Sequence, residues 1–317
     1  MEFIRDLAQL RPRHRGCVAT IGNFDGVHCG HQAVLKQLQE RAKALSLPAL
    51  VIIFEPQPLE YFAPTRAPAR LTRLREKLMI MARYGVEKVL CVRFSTQFAE
   101  LTAEAFIEQL LVEKLAVHHL VVGDDFRFGQ ERQGHFKTLQ AAGQRYGFIV
   151  EDNHTIIIDQ ERVSSTRIRH ALEQGNMVLA EKLLGRPYTL CGRVRHGEQR
   201  GRSIGFPTAN IFLHRRFCPI KGVFAVFVHG IAQKAVAGVA NLGTRPTVDG
   251  QQLLLEVHLF DFNQTLYGNY VEVEFVSKLR DEKRFASFII LKEQIQKDAL
   301  MAKTILSVKS AKLVMEC

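Results

Sequence analysis

Cys17-Val18-Ala19-Thr20-Ile21-Gly22-Asn23-Phe24-Asp25-Gly26-Val27-His28-Cys29-Gly30-His31 runs from a short apolar segment through a glycine-bearing loop. It leads into residues 31–45, where Ala33, Val34, Leu38, Ala42 and Leu45 have helical spacing. Strand, loop and helix in that order form the unit from which parallel sheets are built. The alternation repeats down the first half of the chain. Residues 49–54 (ALVIIF), 88–93 (KVLCVR), 119–122 (HLVV) and 148–150 (FIV) are strand-like, and 71–84, 103–115 and 135–146 read as helices. Strands that are apolar throughout belong to a sheet covered on both faces. The expectation is an α/β fold with a doubly wound, Rossmann-like N-terminal domain, whose ligands bind beyond the carboxyl ends of the strands.

After residue 186 the pattern changes. Short alternating strands such as Val223–Val228, Leu253–Phe260 and Tyr270–Phe275 are separated by Gly and Asn turns, which reads as a small antiparallel β-barrel. Phe288, Leu291, Ile295, Ala299, Ala302 and Leu306 then mark one long amphipathic helix. Residues 171–187, ending in Leu-Leu-Gly-Arg-Pro, read as a helix and hinge. The expected domains are 1–185 and 186–317, with disorder expected past about residue 308. No internal repeat or low-complexity tract occurs.

The bulk properties exclude several classes. At 317 residues the chain suits two domains of about 150 residues. No apolar run reaches the ~18–20 residues that span a bilayer. The opening MEFIRDLAQLRPRHRG has no apolar signal-peptide core, so the chain is expected in the cytoplasm, away from membranes. Six cysteines are scattered without zinc-site or disulfide spacing. The net charge of +11 is spread along the chain with no basic block. That favours small polyphosphate ligands over nucleic acid.

Two segments carry chemistry. In the first, glycines give tight turns between strand and helix, and the helix N-terminus is a ready phosphate site. His28 and His31, three apart, can face one anion from the first turn. A structural pair, or a metal pair with Asp25, is the alternative. Neither a Walker A loop nor GxGxxG occurs. The second is Gly205-Phe206-Pro207-Thr208-Ala209-Asn210, behind Gly197-Glu198-Gln199-Arg200-Gly201-Arg202-Ser203. Pro207 rigidifies a turn that presents the Thr208 hydroxyl and the Asn210 carboxamide, oxygen ligands that suit Mg²⁺. The glycines upstream allow backbone N–H groups to approach phosphates. An ordinary inter-strand turn is the alternative. In the strand Leu255-Glu256-Val257-His258-Leu259-Phe260, Glu256, His258 and Phe260 share one face. A carboxylate on an otherwise apolar strand needs a reason, and a general base for a sugar-like hydroxyl is one. A solvent-facing position is the other.

The HxGH form of His28-Cys29-Gly30-His31 after a first strand resembles the nucleotidyltransferase superfamily. Gly205 to Asn210 (GFPTAN) resembles the signature of riboflavin kinases. The two in this order, over about residues 15–306, resemble the bacterial bifunctional riboflavin kinase/FMN adenylyltransferases. That resemblance implies two ATP-dependent steps. Riboflavin would be phosphorylated to FMN in the barrel, and FMN adenylylated to FAD, with release of pyrophosphate, in the N-terminal domain.

The resemblance also implies roles. Gly22, Asn23, Phe24, Asp25, His28, His31, Ser165, Thr166 and Arg169 would bind the adenylyl-donor ATP, with His28, His31 and Arg169 catalytic. Phe54, Pro56, Pro58, Phe62, Asp125 and Phe128 would form the flavin side of that domain. In the barrel Glu256 would be the base, and Gly201, Ser203, Gly205, Thr208 and Asn210 would bind ATP. Thr208 and Asn210 would hold Mg²⁺, and Arg280, Glu282 and Phe285 would contact the flavin. Ser164–Arg169 also reads as a capped helix start, 54–62 as a Pro-rich surface turn, and Arg280–Glu282 as a surface ion-pair cluster. Ile53 departs from the family pattern, which has a small polar residue there, and is expected to alter the flavin-side pocket. The implied partners are riboflavin, FMN and ATP, with neither nucleic acid nor membrane, in a monomer or weak homo-oligomer. Two rivals stand beside this reading: a nucleic-acid-binding barrel protein, and a nucleotidyltransferase for another phosphorylated acceptor. Strand 253–260 has no basic residue besides His258, which argues against the first.

Overall fold

A computed structural model of the chain describes every residue except 124, 154, 197–204, 248–249 and 316–317, and no side chain within 245–252 or 312–317. The backbone forms two compact units, Met1–Pro68 with Thr72–Ser164, and Ala69–Leu71 with Ser165–Cys317.

The first unit is a six-stranded parallel sheet in the order β1-β4-β3-β2-β5-β6. Its strands are β1 (Glu2–Ile4), β2 (Val18–Ile21), β3 (Ala49–Glu55), β4 (Lys88–Arg93), β5 (His119–Gly123) and β6 (Ile149–Asn153). Strand β3 shows why the strands are apolar throughout. Leu50, Ile52 and Phe54 enter one core layer, with Leu110 and Leu111 and with Leu139 of α6 (Phe136–Tyr146). Val51 and Ile53 enter the other, with Val34, Leu35 and Leu38 of α1 (Cys29–Leu45) and Ile80 and Met81 of α3 (Leu74–Arg83). Ile53, fully buried, thus lies on the sheet face opposite Phe54, so the expectation that it shapes the same pocket is corrected. Two short helices, α2 (Pro58–Phe62) and α4 (Thr96–Ala99), and the strand β1 escape periodicity reading because each has at most five residues. The helix read over 103–115 is α5 (Ala103–Phe106) continued by a π-type turn over Ile107–Lys114. A hairpin of β7 (Ile157–Ile158) and β8 (Glu161–Arg162) ends the unit.

The second unit begins with α7 (Ser165–Glu173) and α8 (Met177–Leu184), where one helix and a hinge are expected from sequence. Gly175, at φ +74°, turns the chain between them, and the Asn176 carboxamide caps α8 by accepting from the Leu179 N–H at 3.0 Å. Next comes a closed antiparallel barrel of β9 (Tyr188–Arg195), β10 (Ala209–Phe212), β11 (Gly222–His229), β12 (Val236–Thr247), β13 (Gly250–Leu259) and β14 (Tyr270–Arg280), in the order β10-β13-β12-β11-β14-β9. Phe224 meets Phe275 edge-on inside it, with centroids 5.2 Å apart. Strand β11 is buried on both faces because the last helix, α9 (Phe288–Met315), covers its outer side. There Val223, Ala225 and Phe227 meet Ala299, Ala302 and Leu306. The helix continues to Met315, which corrects the expectation of disorder from about residue 308.

One ion-pair network ties α1 to the sheet. Arg41 grips Glu151 through Nε at 2.7 Å and Nη2 at 2.6 Å, and buried His119 meets the same carboxylate at 2.9 Å. The Arg41 guanidinium, aided by His119, holds the Glu151 carboxyl down at about 2, against an ordinary 4.5, although burial opposes the shift. A lowered folded value means that the stabilisation is present above pH ~4.5 and fades as pH falls toward 2. Glu151→Gln is therefore expected to destabilise the chain at neutral pH, with the gap to the parent narrowing between pH 5 and pH 3. Denaturant unfolding across that range checks it, and a pH-independent gap would refute the assignment.

Candidate functional site

In the first unit, strands β2, β3 and β4 progress in one direction across the sheet, and β5 then pairs on the other side of β2. The carboxyl ends of β2 and β5 therefore flank a topological switch point, where open α/β sheets bind ligands. The loop Gly22–His31 leaves β2 there. His28 is the N-cap of α1, and its Nδ1 accepts from the His31 N–H at 3.4 Å. In the neutral ring this leaves Nε2 as the proton-bearing donor. The His28 and His31 rings stack 3.7 Å apart, and Phe24 packs on His31. Gly30 has a steric reason to lack a side chain: a Cβ would stand 3.3 Å from the His28 ring.

Asp25 is placed differently from its neighbours. It is 3% exposed, and its Oδ1 accepts from the Thr72 N–H at 3.0 Å and the Thr72 hydroxyl at 3.3 Å. Thr72 Oγ1 in turn accepts from the Gly26 N–H at 2.9 Å. Asp25 thus fastens the loop. Gly22 leaves room for the Phe24 ring, and Asn23 lies in the same loop. Ser165, Thr166 and Arg169 sit on α7, in the second unit, where Arg169 Nε donates to the Ala69 carbonyl at 2.7 Å.

Of the residues expected on the flavin side of the first unit, Phe54, Phe62 and Phe128 belong to a ring lattice at the ends of β3, β4 and β5. Phe54 packs on Phe94 and Phe98, Phe62 meets Phe94 at 5.7 Å, and Phe98 leads through Phe106 to Phe128. Phe54 and Phe128 are buried, whereas Phe62 is 65% exposed. Pro56 and Pro58 flank buried Gln57 at the start of α2. The Asp125 carboxylate is exposed and pairs with Arg162 at 2.8 Å. Phe94 and Phe98 escape sequence reading, although Phe94 directly follows β4 at the carboxyl edge of the sheet, the edge at which open α/β sheets bind ligands.

In the second unit, strand register makes a row around the outside of the barrel. Arg195 lies opposite Asn210, Asn210 opposite Glu256, Glu256 opposite Asn241, Asn241 opposite Val223, and Val223 opposite Arg280. Directly opposed residues share a face. Leu255 and Val257 are buried inside the barrel, so Glu256 faces out. A cavity of about 380 Å³ opens there, walled by Thr208, Asn241, Glu256, Arg280, Glu282 and Phe285 among others, with Leu291 and Ile295 of α9 above. The sequence-derived residues Glu256, Thr208, Arg280, Glu282 and Phe285 are thus brought to one cavity. Asn210 adjoins it through Glu256. Gly205, at φ +86°, has open space where a side chain would stand. Gly201 and Ser203 lie outside the described residues.

Second contacts shape this cavity. His258 Nδ1 lies 2.9 Å from the Pro207 carbonyl, and since a carbonyl only accepts, that nitrogen carries the proton. The bond ties the Thr208 turn to the strand bearing Glu256. Asn241 Nδ2 donates to Glu282 at 3.4 Å, and the Glu282 carboxylate fills the space where Gly243 lacks a Cβ. Among the described residues no group of three or more His, Cys, Asp or Glu side chains is arranged to hold a metal. Thr208 lines the same cavity as Glu256, and Asn210 is the partner of Glu256 across the strands. No helix among the described residues is long and apolar enough to cross a membrane.

Comparison with known proteins gives a consistent picture. Residues 10–167 match the FAD synthetase family and residues 184–306 the riboflavin kinase family. The bifunctional riboflavin kinase/FMN adenylyltransferase of Haemophilus influenzae is 54% identical over 96% of this chain and 98% of its own length. The protein of the same description from Escherichia coli K12 is 54% identical over 96% and 97%, and that of Pseudomonas fluorescens 50% over 96% and 98%. A crystal structure described as a macrolide-efflux protein from Streptococcus pneumoniae superposes with a TM-score of 0.79 at 32% identity, over 94% of this chain and 96% of that one. Two family matches in tandem, and relatives of half or more identity along nearly the whole length, show that the chain belongs to the bifunctional riboflavin kinase/FMN adenylyltransferase family.

Proposed function

We propose that this chain makes FMN and then FAD in two ATP-dependent steps, with residues 186–317 as the riboflavin kinase domain and 1–185 as the FMN adenylyltransferase domain. The observation that carries the kinase step is Glu256, an outward carboxylate set between Asn210 and Asn241 on a cavity wall shared with Thr208. In that step Glu256 takes the proton of the riboflavin 5′-hydroxyl as its oxygen bonds to the γ-phosphorus of ATP. The bond from that phosphorus to the bridging oxygen breaks, and ADP leaves with the electron pair. Thr208 and Asn210 would hold a Mg²⁺ ion, which neutralises phosphate charge when bound. His258 keeps the Thr208 turn in place through Pro207. Phe285, with Leu291 and Ile295, supplies apolar surface for the isoalloxazine ring.

In the adenylyl step a phosphate oxygen of FMN bonds to the α-phosphorus of ATP and pyrophosphate departs, with no covalent enzyme intermediate. The residues need only position the reactants and neutralise charge. The N-capping His28 offers a donor at the N-terminus of a 17-residue helix, and His31 stacks beside it. The ring lattice around Phe62 and Phe94 offers planes for the flavin. In this reading ATP is the co-substrate of both steps, and the work is assigned to the cytoplasm, to a monomer or weak homo-oligomer that takes no nucleic acid.

Riboflavin with MgATP and the purified chain, followed by chromatography, should give FMN first and FAD later. FMN alone would remove the adenylyl assignment, and neither product would remove both. Glu256→Gln is expected to slow FMN formation by roughly 10²–10⁴-fold while FAD formation from supplied FMN stays near the parent rate. Loss of both rates would make Glu256 structural. His28→Ala is expected to have the opposite pattern, slowing adenylylation by about 10²–10³-fold, the scale for one lost transition-state donor. An unchanged adenylylation rate would withdraw the phosphate role of the histidine pair.

A further inference from the structure

Asp298 is a carboxylate that the chemistry above does not use, and it is only 6% exposed. It shares one face of α9 with Leu291, Gln294 and Ile295, at helical spacings of three and four. A charge so withdrawn from water needs close partners. Arg280, at the end of β14, donates from Nε to both Asp298 oxygens, at 3.1 and 3.0 Å, and from Nη2 to Oδ2 at 2.8 Å. Gln294 donates from Nε2 to Asp298 Oδ1 at 2.8 Å, and its own Oε1 accepts from Lys283 Nζ at 2.9 Å. Both cations converge on one ring. The Arg280 guanidinium lies 5.6 Å from the Phe285 centroid and the Lys283 ammonium 5.3 Å, within cation–π range. Arg280 Nη1 also donates to the Asp281 carbonyl at 2.9 Å, so the loop that carries Phe285 is held at its start as well.

We propose that Asp298 is a positioning residue of the flavin cavity. Acting through Arg280 directly, and through Gln294 and Lys283, it fixes Phe285 as the aromatic wall against which the isoalloxazine ring lies. The inference rests on reading this cavity as the riboflavin site. It makes Asp298 a determinant of riboflavin affinity that never touches the reacting hydroxyl, Glu256 or the nucleotide. A residue that only pins α9 to the barrel would disturb riboflavin and ATP alike, and would do so whether or not Phe285 is present.

The test is a double-mutant cycle on the full-length chain, using Asp298→Asn, Phe285→Ala and the pair. Asp298→Asn keeps the shape of the side chain. Because it leaves Arg280 charged and partly unpaired, the double change Arg280→Met with Asp298→Leu is made alongside it to remove both charges. Riboflavin affinity is read from quenching of flavin fluorescence, with KM for riboflavin, KM for ATP and kcat from FMN formation. Thermal unfolding verifies that each variant is folded. The expected result is a rise of roughly tenfold or more in Kd and KM for riboflavin in Asp298→Asn, in the charge-free double variant and in Phe285→Ala. In Asp298→Asn the KM for ATP should stay within about twofold while that for riboflavin rises. In the Phe285→Ala background, Asp298→Asn should add little. If Phe285→Ala weakens riboflavin but folded Asp298 variants do not, the positioning role is overturned while the cavity assignment stands. Equal losses for riboflavin and ATP, or the same loss with and without Phe285, also overturn it. If Phe285→Ala leaves riboflavin binding unchanged, the cavity assignment itself falls and the proposal with it.

Discussion

A closed barrel of six strands gives each side chain two directions, and the whole candidate kinase site follows from that constraint. Leu255 and Val257 fill the interior, so Glu256 between them must face out, and strand pairing sets Asn210 and Asn241 on its two sides. An outward side chain on a barrel meets either water or a covering element. Under the middle of α9 the outer face is apolar, with Val223, Ala225 and Phe227 against Ala299, Ala302 and Leu306. The polar row begins beside it. The cavity therefore lies at the border between covered and uncovered barrel, where apolar planes and hydrogen-bonding groups stand within reach of one small molecule.

The first unit applies a different constraint to the same problem of holding anions. Its strand order reverses between β2 and β5, and the loop at that point is held in sparsely populated backbone conformations. Phe24, Gly26 and Val27 all have positive φ, and both Phe24 and Val27 are fully buried. Strain of this kind costs on the order of 1–3 kcal/mol per non-glycine residue and persists only where surroundings enforce it. Asp25 within the loop, and Thr72 from a distant segment of the chain, supply part of that enforcement. A loop fixed before ligand arrives loses little further freedom on binding, which is what positioning catalysis requires.

Alternation of apolar strands and amphipathic helices made the parallel sheet legible, and the shift to alternating strands made the barrel legible. Element boundaries from β2 to β6 fall within a few residues of the segments read from sequence. The barrel's strand order was not legible, because β10 pairs with β9 and β13, and pairing over such separation leaves no trace in local periodicity. The row Arg195, Asn210, Glu256, Asn241 is therefore visible only in the fold, although the sequence had marked the segments of Asn210 and Glu256. The short helices α2 and α4 fall below the length at which a period can be recognised. Ile53 shows the opposite error: neighbours in sequence were taken to share a pocket, whereas successive strand residues point to opposite faces. Asp298 was hidden because one acidic residue among the polar positions of a long helix looks solvated until its partner across the cavity is known.

The long helix shows how one amphipathic stripe can do two jobs. By spacing alone, Leu291, Ile295, Ala299, Ala302 and Leu306 form a single packing face. In the fold the last three are buried against β11 and its neighbours, and the two alanines allow the backbone to lie close to the barrel. Leu291 and Ile295 are only half-buried and line the cavity. The barrel wall opposite them carries Glu256, Asn241 and Arg280. Sealing an apolar stripe onto those groups would exclude water from them and add no hydrogen bonds to those they already make, and each bond to water lost without replacement costs roughly 1–3 kcal/mol. An open cavity avoids that penalty. It also leaves apolar side chains facing polar ones across a space that a ligand with a flat ring and a hydroxylated chain would satisfy on both sides.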